Sequence, residues 1–378
     1  MPRAAMMREG DLGMDDICRA SVEVERFTAT SPALGSGALR ESGALRESGA
    51  LRDCGVLREI VQVAVRPYRR AFRQPLQTHH GLWVEREGWI MRVETQDGCV
   101  GFGEIAPLPG FGSESFAAAG AFLRELVVDG AIAPPPNCLP ACQFGWAMAL
   151  ASCQGLFPRP NAAPLAVCAL LPTGVAALSA WEALWAEGRR QFKWKIGVTA
   201  LATEQTVFRQ LMAALPPEGR VRLDANGGLS LAGAESWLDL CAAYPSVEFV
   251  EQPLPPAAFE AMLGLSNRFP TPLALDESVA TLAQLQRCHR RGWSGIWVVK
   301  PGIAGAPDAL VAFCQAHRLD VVLSSVLETA IARSYIQQVL LPAMPAPQRV
   351  PGLEVEHWFT ADGLDTMSPE ILWNRLAL

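Results

Sequence analysis

Five charged residues close five successive apolar runs: Lys195 in QFKWKIGV, Asp224 in VRLDANGG, Glu251 in VEFVEQPL, Asp276 in LALDESVA and Lys300 in IWVVKPGIAG. Consecutive members stand 24 to 29 residues apart. That is the length of one strand, one helix and their loops. CALLPTG before this ladder and VVLSSVL after it bring the short strands to seven. Segments 200–214, 231–244, 280–290 and 306–317 between them carry helical periodicity. Strands alternating with helices imply right-handed βαβ units and a parallel sheet. Strands that are apolar almost throughout suit burial on both faces. Seven or eight such units within residues 161–350 predict a β/α barrel rather than an open doubly wound sheet.

In such a barrel, functional groups project from the carboxyl ends of the strands. Each ladder residue stands just before a Gly, Pro or polar turn, which places it there. A charge inside a barrel is costly unless it is paired or bound to metal. Three carboxylates without a nearby His or Cys favour a hard divalent cation, Mg²⁺ or Mn²⁺, with positions open to water or substrate. The alternative is a set of internal ion pairs in which Lys195 and Lys300 neutralise the carboxylates. Counted formally, a divalent cation and two lysines outweigh three carboxylates, which suits a small anionic carboxylate substrate. A metal on that carboxylate would stabilise the dianion formed when the α-proton leaves. Lys193 and Lys195 are two apart on one strand and share a face. Positive charge at Lys193 disfavours a second ammonium beside it, which suits Lys195 to act as a base. Lys300 arises well round the barrel, which suits a place across the substrate from Lys195, either as a second acid–base group or as a cation beside the enolate.

Several neighbours have supporting roles in this reading. Asn226 shares the face of Asp224, as a water ligand or an outer-shell partner. Arg222 shares the same inner face and is expected to pair with carboxylates inside the barrel. Glu277 follows Asp276 and is expected to point the other way, as a structural partner for a lysine. Ser324 and Ser325 end the strand after Lys300 and are candidates to hold a second substrate carboxylate.

Upstream of the barrel the pattern changes. VQVAVRPYRRAF and HHGLWVEREGWIMRVETQDGCVGFGEIAP alternate apolar and polar residues around turn dipeptides, which predicts a three-stranded antiparallel meander. Residues 113–129 open with a helix-capping pattern and continue as an amphipathic helix. Leu139–Phe157 is the most apolar stretch. Its Pro140, Gln143 and Gln154 suit a buried helix rather than a membrane span. Together these segments predict a small α+β domain over 57–160. Its loops at His79–His80 and Pro107–Gly112 are expected to close over the substrate.

Residues 1–56 are expected to be a disordered prefix. A six-residue repeat runs from SGALRE at Ser36 to CGVLRE ending at Glu59, too short a period for a solenoid. A glycine in every repeat disfavours a stable helix. Deletion of residues 1–56 is expected to leave activity intact. No apolar segment follows the acidic start (Glu9, Asp11, Asp15, Asp16), so no secretory signal is expected. Ten cysteines are scattered through the chain, several in apolar runs such as Cys168, Cys241 and Cys314. They suit a reduced, cytoplasmic compartment better than a disulfide framework. Cys138 and Cys142 have no His or second Cys pair near them and do not make a metal site. The net charge of −6 and the lack of a basic stripe argue against nucleic acid as a partner.

K-x-K, D-A-N, E-Q-P, D-E-S and V-K-P in this order resemble the enolase superfamily, in its muconate-lactonising subgroup. Within it, GFGEIAPLPGFGSES (101–115), RLDANGG, VVKPGIAG and LSSVLETAIAR are similar to the o-succinylbenzoate synthases of naphthoquinone biosynthesis. The resemblance runs from about residue 60 to the end. It implies a (β/α)7β-type modified TIM barrel over 161–350, with an α+β capping domain over 57–160 completed by about 351–378. It implies that Asp224, Glu251 and Asp276 bind Mg²⁺, that Lys195 takes the α-proton, and that Lys300 lies opposite as a cation. The implied reaction is syn dehydration of 2-succinyl-6-hydroxy-2,4-cyclohexadiene-1-carboxylate (SHCHC) to o-succinylbenzoate, in menaquinone or phylloquinone synthesis. An N-acylamino-acid racemase, dipeptide epimerase or cycloisomerase on the same scaffold would use the same ladder.

Overall fold

The computed structural model describes residues 59–377, apart from 79–80, 129, 131 and 159–164. The six-residue repeat and the expected disorder of 1–56 lie almost wholly outside these residues, as do His79 and His80. Among the described residues, no helix is long and apolar enough to cross a membrane.

The meander forms as its alternation predicts. Strands β1 (Ile60–Thr78), β2 (Gly81–Thr95) and β3 (Val100–Ile105) make an antiparallel sheet in the order β1-β2-β3. Helix Phe116–Val127 is started by Ser115, whose side chain accepts the Ala118 N–H. Helix Pro140–Cys153 lies directly on β3, and glycine makes that approach feasible. A Cβ at Gly103 would stand 1.9 Å from the Gly145 carbonyl oxygen, and one at Gly101 would stand 2.1 Å from that of Ala149. The GFGE sequence is therefore a contact surface for a helix backbone.

The second sheet holds seven parallel strands: β4 (Ala169–Leu170), β5 (Gln191–Lys195), β6 (Arg220–Asp224), β7 (Val247–Glu251), β8 (Leu273–Leu275), β9 (Ile296–Val299) and β10 (Val321–Leu323). Their order in space is their order in sequence, as a barrel requires and a doubly wound sheet forbids. Pro351 and Gly352 bridge the two edges. The Cys168 N–H, beside β4, donates to the Pro351 carbonyl at 2.9 Å, and the Gly352 N–H donates to Leu323 of β10 at 2.9 Å. These two residues thus serve the ring, and the chain passes to the cap just after them.

Side-chain alternation sorts the barrel residues. Phe192, Trp194, Leu223, Val250, Leu275, Trp297 and Leu323 face outward into the main core, against helix residues such as Phe208, Trp237 and Met262. The alternate positions Phe249, Ala274, Ile296, Val298 and Val322 fill the barrel interior as a cluster of their own. The next inward positions, one layer up, belong to the ladder.

The C-terminal segment ties cap to barrel. Phe359 pairs with Phe72 of β1, their rings stacked at 5.2 Å. Arg70 is buried, with its Nε 2.7 Å from Asp362 Oδ2. Arg66 lies over the Trp373 ring at 4.1 Å.

Candidate active site

The register of the barrel assembles the ladder. Lys195 lies opposite Asp224 across β5 and β6, and Asp224 lies opposite Glu251 across β6 and β7. Glu251 pairs with Ala274, so Asp276 stands one inward position further up its chain. Lys300 and Ser324 follow the paired Val299 and Leu323 at the ends of β9 and β10. Asp224, Glu251, Asp276 and Lys300 are buried, and Lys193 and Lys195 are half-buried.

The carboxylates are neutralised unequally. Lys193 Nζ is 2.7 Å from Asp224 Oδ2 and 2.7 Å from Glu251 Oε1. Burial opposes the charge of Lys193, but the two carboxylates outweigh it and hold its pKa above the ordinary lysine value. Asp224 is likewise held low. Burial would raise it, yet the Lys193 ammonium and the Asn226 N–H prevail. Glu251 goes up, first through burial and then through the like charge of Asp224. Lys300 is ion-paired with Asp276 and stands 4.9 Å from the centre of the Phe111 ring, on the cap. Burial dominates there and pulls its pKa down to about 8.

Asn226 adopts a left-handed backbone conformation, φ 43°. This turn brings its N–H to 3.0 Å from Asp224 Oδ1 and its amide to 3.1 Å from Glu277 Oε1. Glu277 therefore does not point away to a lysine, as expected above. The bend after Asp276 turns it toward Asn226 and the ladder. Burial and the neighbouring Asp224 raise its carboxyl to about 7, and its Oε2 has no hydrogen-bond partner. Arg222 pairs with a carboxylate, as expected, and that carboxylate is Glu248. It lies one layer below the ladder, where its Nε donates to Glu248 Oε2 at 2.6 Å.

Ser324 stands on the inner face beside Lys300. Ser325 differs: its hydroxyl donates to Glu328 Oε2 at 2.7 Å and accepts the Leu327 N–H at 2.9 Å, so it organises its own loop. Gln252 is a residue that sequence reasoning missed. Fully buried, with φ 36°, it accepts the Asp276 N–H at 3.0 Å and donates to Ser278 Oγ at 2.9 Å. It thereby locks the end of β8 to the end of β7. Its place in E-Q-P beside Glu251 was the available signal.

The cap closes over this end of the barrel through an apolar seam. Leu108 and Ala141 from the cap pack on Ala280, Ile303 and Val326 from three barrel loops, with Trp83 and Phe111 against them. A cavity of about 360 Å³ lies on the cap, lined by residues 82–87, 107–110 and Phe116. It contains none of the ladder residues.

Two family models match the chain. Residues 63–153 match "MenC, N-terminal domain", and residues 176–372 match "Enolase C-terminal domain-like". The o-succinylbenzoate synthase of Thermosynechococcus vestitus is 41% identical over 321 residues, covering 82% of this chain and 98% of that one. The chain belongs to the o-succinylbenzoate synthase family of the enolase superfamily. A member from an Enterobacter species is 30% identical over 298 residues, covering 74% and 84% of the two chains. The crystal structure of the Thermosynechococcus elongatus BP-1 synthase, with Mg in its active site, has a TM-score of 0.76 at 40% identity. It covers 83% of this chain and 100% of its own. The Bacillus subtilis L-Ala-D/L-Glu epimerase, at 17% identity and TM-score 0.65, covers 80% and 92% and shares the fold.

The donor set of this synthase-family chain fits a hard cation. It offers three buried carboxylates on three adjacent strands, with no imidazole or thiolate among them. As the side chains stand, no three metal-ligating groups among the described residues are gathered within bonding reach. Lys193 draws Asp224 and Glu251 to itself, and Lys300 draws Asp276.

Proposed function

We propose that the protein dehydrates SHCHC to o-succinylbenzoate with Mg²⁺ held by Asp224, Glu251 and Asp276. The observation that carries this reading is the register Lys195–Asp224–Glu251, with Asp276 and Lys300 completing the same rim. When bound, the metal supplies electrostatic stabilisation of negative charge on the substrate carboxylate. Mn²⁺ shares the preference for oxygen donors and is the second candidate. Lys195 takes the α-proton and then delivers it to the departing hydroxide on the same face, so water leaves and the lysine returns to its starting state. Formation of the aromatic ring drives the step. Lys300 stands on the other side as a cation and balances the charge that develops. Lys193 supports Lys195 by keeping positive charge two residues away on the same face. Ser324 faces the succinyl end of the substrate. None of the eight described cysteines is in a disulfide, which accords with a reduced cytoplasmic setting.

The test is direct. Purified protein with SHCHC and Mg²⁺ is expected to produce the absorbance of the aromatic product, and chelation is expected to stop it until Mg²⁺ is restored. N-succinyl amino acids in D₂O report the rival activity through α-deuterium. Exchange there without dehydration of SHCHC would overturn the reading in favour of a racemase.

A further inference from the structure

We propose that two cap residues, Glu104 and Arg86, are positioning residues for the substrate pocket: they clamp the loop Ser324–Thr329 at the barrel mouth. This deepens the functional reading above and rests on its placement of Ser324 against substrate.

The loop leaves β10 directly beside Lys300. It contains a strained residue, Leu327, at φ 66°. A bulky side chain in the left-handed region persists only where its surroundings over-determine it. Part of that constraint is internal, since Glu328 Oε2 accepts the Ser325 hydroxyl at 2.7 Å and the Val326 N–H at 2.6 Å. The rest comes from the cap. Glu104, at the end of the GFGE segment, accepts the Thr329 N–H at 2.9 Å and the Thr329 hydroxyl. Its other oxygen takes the Tyr68 hydroxyl at 2.5 Å. Arg86 donates through Nε to the Val326 carbonyl at 3.0 Å. It anchors its remaining nitrogens on the cap, to Pro107 O at 2.8 Å and Ala106 O at 2.6 Å.

Arg86, Glu104, Glu328 and Thr329 are all at most 3% exposed. Buried, charge-assisted hydrogen bonds of this kind are strong and geometrically specific. The cap thereby grips the loop at two points, Val326 and Thr329, on either side of the strained residue. The Pro107–Gly112 loop hangs from the same guanidinium, through the Pro107 carbonyl. One cap residue thus sets both the lid segment and the barrel loop that faces it. The seating of the cap and the placing of Ser324 become a single event.

Two measurements decide this. The first is amide hydrogen exchange across residues 321–330 in the wild type, Glu104→Gln and Thr329→Val. The clamp requires exchange at 326–329 to speed up by about tenfold or more in both variants. Unchanged protection would overturn it whatever the protein catalyses. Thr329→Val is nearly isosteric and carries the test if Glu104→Gln does not fold. The second is steady-state kinetics with SHCHC. A positioning role predicts KM raised about tenfold with kcat within about threefold, and recovery in Thr329→Ser, which keeps the hydroxyl. Combined with Ser324→Ala, Thr329→Val should raise KM by less than the product of the single effects. Fully multiplicative effects, or a loss confined to kcat, would overturn the coupling through Ser324. Absence of SHCHC turnover by the wild type is a separate outcome. It would sink the functional reading and leave the exchange measurement to judge the clamp.

Discussion

The β5 side of the barrel mouth and the β9 side each present a lysine to buried carboxylates, yet their electrostatics are opposite. On the β5 side Lys193 sits between two carboxylates, and their combined attraction exceeds the cost of burial, so its pKa rises. On the β9 side Lys300 has one close carboxylate; burial, with the Lys193 ammonium adding to it, prevails over the Glu251 and Asp224 charges, so its pKa falls to about 8. The residue type is the same, but Lys300 is buried and Lys193 half-buried, and the strand register places more acceptors within reach of Lys193. One lysine is thus a fixed counter-ion, and the other is poised to titrate.

The comparison is most sharply tested on the β5 side by Lys195→Ala. It is expected to lower turnover of SHCHC by about 10²–10⁴-fold, the range of a lost acid–base group, with the circular dichroism spectrum unchanged. Near-normal turnover would remove Lys195 from its role. Lys193→Met is expected to destabilise the metal-free protein by about 3–5 kcal/mol in chemical denaturation. It leaves Asp224 and Glu251 facing each other without a counter-ion, and added Mg²⁺ should recover much of the loss. The matching Lys300→Met change should cost less, because that ammonium is already poorly accommodated.

The two sides also predict opposite slopes of stability against pH in metal-free protein. Lys300 has a folded pKa of about 8 against an ordinary value of 10.5. Between these values the unfolded chain holds the proton and the folded one does not, so stability rises with pH. Lys193 has a folded pKa above 10.5, so its stabilisation is complete below that value and is lost as pH climbs beyond it. Denaturant melts from pH 7 to 11 should show the rise disappear in Lys300→Met and persist in Lys193→Met.

Asn226→Ala should weaken Mg²⁺ binding by about tenfold, read by titration calorimetry, because Asp224 Oδ2 loses the side-chain amide donor at 3.3 Å while the backbone N–H to Oδ1 remains. The smallest effect is expected below the ladder on the β9 side. Ile296→Val should cost about 1 kcal/mol of stability and leave the pH slope untouched. A changed slope there would mean that packing, not charge, sets the behaviour of Lys300.

Much of the architecture was legible in the chain. All seven barrel strands form where the apolar runs stand, because alternation and burial are local properties that survive into the fold. The positions of the five ladder residues at the strand ends were readable for the same reason. Glu277 was misplaced because a strand rule was applied to a residue beyond the strand end, where the chain bends and alternation lapses. Arg222 was placed on the correct face and does pair with a carboxylate, but which carboxylate it takes depends on the stagger between neighbouring strands. Gln252 was overlooked because its importance lies in a partner on the next strand, reached only through a left-handed turn.

Sequence alone determined the α/β class, the barrel, the cap meander and the set of donors, since period, spacing and residue chemistry are written along the chain. Tertiary structure alone decided which carboxylate each ammonium takes, and hence the opposite states of Lys193 and Lys300. It also decided that a cap carboxylate grips a barrel loop 225 residues away. Such pairings depend on register, burial and close packing between elements remote in sequence, and no local pattern encodes them.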